Sequence, residues 1–141
     1  MLADDHAIVR NGVAQILAEQ SDIDVIAEAP DGEAAVELYR RERPDVSLVD
    51  LRMPILDGAQ VVETIRREFP DAVLVVLTTF DTDDDVDRAL MAGAKAYLLK
   101  DVSPGGSRGL RAHRAHRRYV GVTRGSVEIG GADDAGSADF A

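Results

Sequence analysis

Two features of this 141-residue chain predict an α/β fold, a doubly wound parallel sheet with helices on both faces. Short runs rich in branched apolar residues alternate with longer segments of helical periodicity. The runs are apolar almost without interruption, as strands buried on both faces must be. A third feature bears on function: the strand-like runs end on polar residues, and such sheets bind ligands at the carboxyl ends of their strands.

The elements follow in chain order. Met1-Leu2-Ala3 is a short first strand that stops at Asp4-Asp5. From His6 to Gln20, Val9, Val13, Ile16 and Leu17 have helical spacing, with Asp4 or Asp5 where a cap would stand. Residues 23–29 (IDVIAEA) read as a strand, and 31–43 as a helix stopped by Pro44. Residues 45–51 (DVSLVDL) form the next strand; 58–69 form a helix with Val62, Ile65 and Phe69 on one face, ended by Pro70. Residues 72–80 (AVLVVLTTF) are the most strand-like run, 82–93 a helix closing on Gly93, and 94–100 (AKAYLLK) a last strand.

Composition narrows the classes. An apolar fraction of 45% and a charged fraction of 30% suit one globular domain. Cysteine is absent, which excludes disulfides, thiolate metal sites and cysteine nucleophiles and fits a reducing compartment. No apolar run is long enough to span a membrane, and the acidic start is unlike a signal peptide, so the expected location is cytoplasmic. Residues 1–107 hold 22 acids against 10 bases, whereas 108–124 hold six arginines and no acid. An acidic body repels nucleic acid.

The strand ends bring five groups to one rim: Asp4 and Asp5, Asp50, Thr78 and Lys100. Crowded carboxylates repel one another unless a cation compensates, and Mg2+ prefers such hard oxygen donors. Asp50 can then act as a nucleophile toward a phosphoryl group, giving an aspartyl phosphate. Lys100 and the metal would offset charge on the transferred oxygens, and Thr78 would donate a hydrogen bond.

These segments, "ADDH" (3–6), "LVDLRMPILDG" (48–58), "VVLTTFD" (75–81) and "AGAKAYLLKD" (92–101), together closely resemble a response-regulator receiver domain of two-component systems. The subfamily is the one usually joined to a LuxR-type helix-turn-helix. The resemblance runs from Leu2 to about Pro104 and implies the strand order 2-1-3-4-5 with five helices. It implies Asp50 as phospho-acceptor for a histidine kinase, with Mg2+ held by Asp4, Asp5, Asp50 and the backbone carbonyl of Arg52. It further implies Thr78 as switch hydroxyl, Tyr97 as switch aromatic and Lys100 as the phosphate-pairing lysine. The role implied is phosphorelay signalling rather than enzymatic turnover, with a homodimer face on the fourth helix, fifth strand and fifth helix. Pro54 and Gly58 fit as loop-shaping residues.

Taken singly, each residue has an ordinary explanation: Asp4 and Asp5 as caps, Lys100 at a strand end, Tyr97 as a core aromatic, Asp57-Gly58 as a turn. Asp83, Asp84, Asp85 and Asp87 read as solvated acids at a helix start, and His6 as structural or exposed. The joint occurrence at successive strand ends favours the site.

Two segments depart from the family. The first strand is clipped, since central strands usually have about five residues. Where a fifth helix should stand, Gly105, Gly106 and Gly109 oppose one, and only Leu110–Tyr119 looks helical. Arg108, Arg111, Arg114 and Arg117 make a basic stripe that reads as a solvated face. The expected organisation is a receiver over 1–118 with an atypical fifth helix, then a flexible Gly/Ala/Asp-rich tail over 119–141. No helix-turn-helix pattern appears. Two alternatives stand beside the receiver reading: DNA binding through the Arg-rich 108–118 stretch, and a Mg2+-dependent phosphohydrolase with an aspartyl-phosphate intermediate. Haloacid-dehalogenase-like phosphohydrolases place a second acid where this chain has Arg52, which disfavours the second.

Overall fold

The structure is a computed structural model and describes residues 1–78, 83–101, 109–113, 118–123 and 126–131. Five parallel strands stand in the order 2-1-3-4-5: β1 (Leu2–Ala3), β2 (Glu28–Ala29), β3 (Ser47–Asp50), β4 (Leu74–Thr78) and β5 (Ala96–Asp101). Four helices connect them: α1 (Ala7–Ala18), α2 (Gly32–Glu42), α3 (Gly58–Glu68) and α4 (Asp83–Ala92). The register pairs Leu2 with Leu48, Asp50 with Leu77, and Thr78 with Leu99, so the polar strand ends align along one edge. This is the α/β architecture expected from the alternation of elements.

Alternation along the strands fills two cores. Ala3, Val49, Val76 and the half-buried Tyr97 face Val36, Tyr39, Val62, Ile65 and Ala89 from α2, α3 and α4. Leu2, Leu48, Val75, Leu77 and Leu98 belong to the opposite core, with Val13 and Leu17 of α1. Each large apolar side chain buried in this way contributes roughly 1.5–3 kcal/mol. The helix starts are built from local bonds. Asp31 accepts from Ala34 N–H at 2.8 Å. Asp57 and Gln60 exchange backbone and side-chain bonds at 2.9 Å, forming a capping box at α3. Asp57-Gly58 is therefore a helix cap rather than a generic turn.

Several local expectations are corrected. The strand expected over 23–29 is ordered as a strand only at Glu28–Ala29, because β1 offers just Leu2 and Ala3 as ladder partners. The cap of α1 is His6, with no side-chain cap bond, and Asp4 contributes by accepting the His6 backbone N–H. The helix expected over Leu110–Tyr119 is replaced: β6 (Gly109–His113) runs antiparallel to β5, from Tyr97↔His113 to Asp101↔Gly109. Glycines disfavour a helix there, and the outer edge of β5 offers unpaired backbone groups that a strand satisfies. Within the segment expected to be a flexible tail, β7 (Arg118–Thr123) and β8 (Ser126–Gly131) pair antiparallel. Their register sets Val120 opposite Ile129 and Val122 opposite Val127, an alternation of branched residues suited to strands. The face assigned by resemblance to a fourth helix, fifth strand and fifth helix thus carries a strand beside β5. Thr79 and Phe80, to which the strand from residue 72 was expected to run, residues 102–108, Arg114, Arg117 and residues 132–141 lie outside the described residues. Among the described residues no helix is long and apolar enough to cross a membrane.

Candidate functional site

The short β1 delivers Asp4 to the sheet edge with no exposed surface, and β3 ends on Asp50 at 6% exposure. One ligand atom from each of Asp4, Asp5, His6 and Asp50 lies within 4.8 Å of the others. Like charges at that spacing repel by about 3 kcal/mol per pair at an effective dielectric constant near 20. Such a cluster forms only because sheet and helix geometry impose it. Backbone bonding holds it in place: Asp4 N–H donates to the Ala29 carbonyl at 3.1 Å, and Asp4 Oδ1 accepts from His6 N–H at 2.9 Å. Arg10 donates from Nη1 to the Asp4 carbonyl at 2.7 Å and from Nε to Glu28 at 3.2 Å. A positive group thereby sits beside the buried acid.

His6, read from sequence as a bystander, is exposed but belongs to the cluster, with Nδ1 3.0 Å from Asp5 Oδ1 and 3.6 Å from Asp4 Oδ1. Thr78 closes β4 and is 6% exposed. Tyr97 is half-buried against the α2–α3–α4 core. Lys100 lies on β5 one residue before its end, in register with Leu110 of β6. Four of the residues chosen from sequence, Asp4, Asp5, Asp50 and Thr78, therefore share the carboxyl edge of the sheet, and the β5 backbone carries Lys100 toward the same edge.

The donor set suits a hard divalent cation. Three carboxylates converge, and Arg52 stands two residues after Asp50 at the start of the β3–α3 loop. That loop is tightly placed. Gly58 N–H donates to the Leu51 carbonyl at 2.9 Å, and Leu56 N–H donates to the Pro54 carbonyl at 2.9 Å across Ile55, whose φ is +73°. A positive φ at a β-branched residue is strained, and its surroundings must hold it. Gly32 and Gly58 allow that, since a Cβ at either would press on backbone atoms of the loop or of the end of β3.

Beside the acids a groove of about 470 Å³ runs between this loop and α4, lined by Asp5, Arg52, Met53, Asp57, Asp85 and Arg88 among others. Asp85, expected to be a solvated acid at the helix start, is 37% exposed and is also paired. It lies 3.5 Å from Arg88 and 3.8 Å from Arg52, while Arg88 also donates to Asp57 at 3.1 Å. The Asp57 hydrogen bond, ahead of the other nearby charges, raises the pKa of the Arg88 guanidinium. Sequence reasoning missed Arg10 and Arg88. The three-residue spacing of Asp85 and Arg88 on a helix was a usable signal for the second; nothing local marked the first.

Fold and site together define a flavodoxin-like α/β domain with an acidic cleft at the carboxyl edge of its sheet. The family model of the response regulator receiver domain matches residues 1–107, and the chain belongs to that family. The transcriptional regulatory protein YhcZ of Bacillus subtilis (strain 168) is 43% identical over 104 residues, which are 74% of this chain and 49% of that protein. Among solved structures, the signal receiver domain of the response regulator NarL from Mycobacterium tuberculosis is 39% identical. It aligns at a TM-score of 0.69 over 72% of this chain and 82% of its own. A two-component response regulator of the LuxR family from Aurantimonas sp. SI85-9A1 is 33% identical at a TM-score of 0.69, covering 74% of this chain and 75% of its own. The chain spans about half the length of the curated relatives it matches. It is thus a receiver domain similar to those of LuxR-type regulators.

Proposed function

We propose that the chain is a phospho-accepting signalling domain, in which Asp50 receives a phosphoryl group from a histidine kinase and the change alters a partner-binding face. The observation that carries this reading is the convergence of Asp4, Asp5 and Asp50 at the carboxyl edge of the sheet. A carboxylate oxygen of Asp50 attacks phosphorus, the P–N bond of the phosphohistidine breaks, and the leaving imidazole keeps the bonding pair and takes a proton. The product is an acyl phosphate on Asp50.

Asp4, Asp5, Asp50 and the carbonyl of Arg52 would hold Mg2+. When bound it supplies charge neutralisation that lets phosphate oxygens approach three carboxylates. Lys100 pairs with one phosphoryl oxygen, and the Thr78 hydroxyl donates to another once the group is in place. Contacts made only in the phosphorylated state shift the population of conformers, with Tyr97 turning toward the space vacated near Thr78. Tyr97 is half-buried, packed against the α2–α3–α4 core. Turnover is slow hydrolysis at most, so the domain acts as a signal carrier rather than as an enzyme. In a LuxR-type regulator the output would be transcriptional, in the cytoplasm.

The test is intact-protein mass after incubation with acetyl phosphate and Mg2+, comparing the chain with Asp50→Asn. A labile gain of one phosphate, absent from Asp50→Asn, is expected. A folded chain that gains nothing overturns the reading.

A further inference from the structure

We propose that Arg88 is a positioning residue for the acceptor loop: with Asp85 it fastens both ends of the segment 52–57 to α4. The connection runs Arg52–Asp85–Arg88–Asp57, at 3.8, 3.5 and 3.1 Å. Arg52 opens the loop two residues after Asp50, Asp57 closes it at the cap of α3, and Asp85 and Arg88 stand on α4. The loop is therefore closed ionically across the outside of the groove, on a helix that follows Thr78 in the chain. A link between the acceptor strand and the hydroxyl strand would pass through this bridge.

Isolated surface pairs contribute little, because ordering two long side chains offsets a screened attraction. Here that ordering cost is partly met beforehand. Asp57 Oδ1 is already held by the Gln60 N–H, so Oδ2 is presented to Arg88 in a fixed direction. Asp85 and Arg88 share one helical face at three-residue spacing. The loop has a reason to need fastening: Ile55 is held at a φ of +73° while 68% exposed, so burial of its own side chain does little to hold the turn. Releasing the bridge would let the turn relax and carry the Arg52 carbonyl away from the acidic cluster.

The role of Arg88 toward the metal rests on the phosphorylation reading; the fastening of the loop does not. The test is a double-mutant cycle of Arg88→Gln and Asp57→Asn. The second change keeps a good helix cap while removing the charge. Arg40→Gln, which breaks the remote pair with Glu68, is the control. Amide hydrogen exchange over 52–57 and 84–92 is followed in metal-free protein, and Mg2+ affinity is followed by calorimetry. Expected are about five-fold faster exchange in each single variant, no further gain in the double, partial rescue by Arg88→Lys, and no change in Arg40→Gln. Mg2+ affinity should fall in parallel by a similar factor. Exchange that is unaltered, or that accelerates additively in the double variant, overturns the fastening. Faster exchange with unchanged Mg2+ affinity overturns the positioning role. Mg2+ binding absent from the unmutated chain would instead count against the phosphorylation reading and leave the exchange result to decide the fastening.

Discussion

Replacing Gly58 by Ala tests whether the loop after the acceptor strand is as closely fitted as its geometry indicates. A Cβ at Gly58 would lie 2.7 Å from Leu51 Cα and 3.0 Å from the Asp50 carbonyl carbon, and closer still to that carbonyl oxygen. All of these are backbone atoms of the strand end that carries the acceptor, so no side chain can swing aside. Forcing a methyl group into close-packed surroundings costs about 1–3 kcal/mol. Helix propensity would return less than about 1 kcal/mol, and little of that at the first helical position. Gly58→Ala should therefore be net destabilised by about 1–2 kcal/mol, which for a domain of this size lowers Tm by about 3–12 °C. The added methyl group should also stretch the 2.9 Å bond from Gly58 N–H to the Leu51 carbonyl and displace Asp50, lowering acetyl phosphate-driven phosphorylation several-fold. Thermal denaturation by circular dichroism and the mass assay measure the two effects. An unchanged Tm with an unchanged phosphorylation rate would refute the packing argument.

Other outcomes follow from the same structure. Gly12 lies inside α1 with no atom of its surroundings within 4 Å of where a methyl group would stand, so Gly12→Ala should stabilise by about 0.5–1 kcal/mol; a lower Tm would contradict this. Mg2+ at about ten times its Kd should stabilise the chain by about 1.4 kcal/mol, and Asp5→Asn should weaken that gain; equal gains in a melting titration would count against Asp5 as a ligand. The amino group of Met1 donates to the Val46 carbonyl at 2.9 Å, and burial lowers its pKa from 8.0 against the opposing pull of Asp45. The unfolded chain then binds that proton more tightly, so this group's contribution to stability rises with pH from its lowered folded pKa up to about 8 and is lost as pH falls through that window. Urea melts of the free and N-acetylated chain should differ in slope against pH there; identical slopes would exclude the effect.

The identities of Asp4, Asp5 and Asp50 were legible because each ends an apolar run, and the parallel-sheet rule places such ends together. Helices α2 and α3 were legible too, since Asp31 and Asp57 are good caps and their apolar faces have helical spacing. The extent of β2 was not, because a strand's length depends on its neighbour and β1 offers only two residues. The segment after β5 was misread for a related reason. Leu110–Tyr119 looks helical by sequence, whereas over Gly109–His113 pairing with the open edge of β5 decides for a strand.

The sequence by itself determined the fold class and which carboxylates would meet, because periodicity and strand-end chemistry are local properties carried by the residues themselves. Only the tertiary structure decided how the acceptor loop is held. The close approach of Gly32 to Leu56 and the pairs Arg52–Asp85 and Arg88–Asp57 join residues far apart in the chain, and they surround the left-handed turn at Ile55. Such contacts are set by how elements pack, and the sequence near each residue does not name its distant partner.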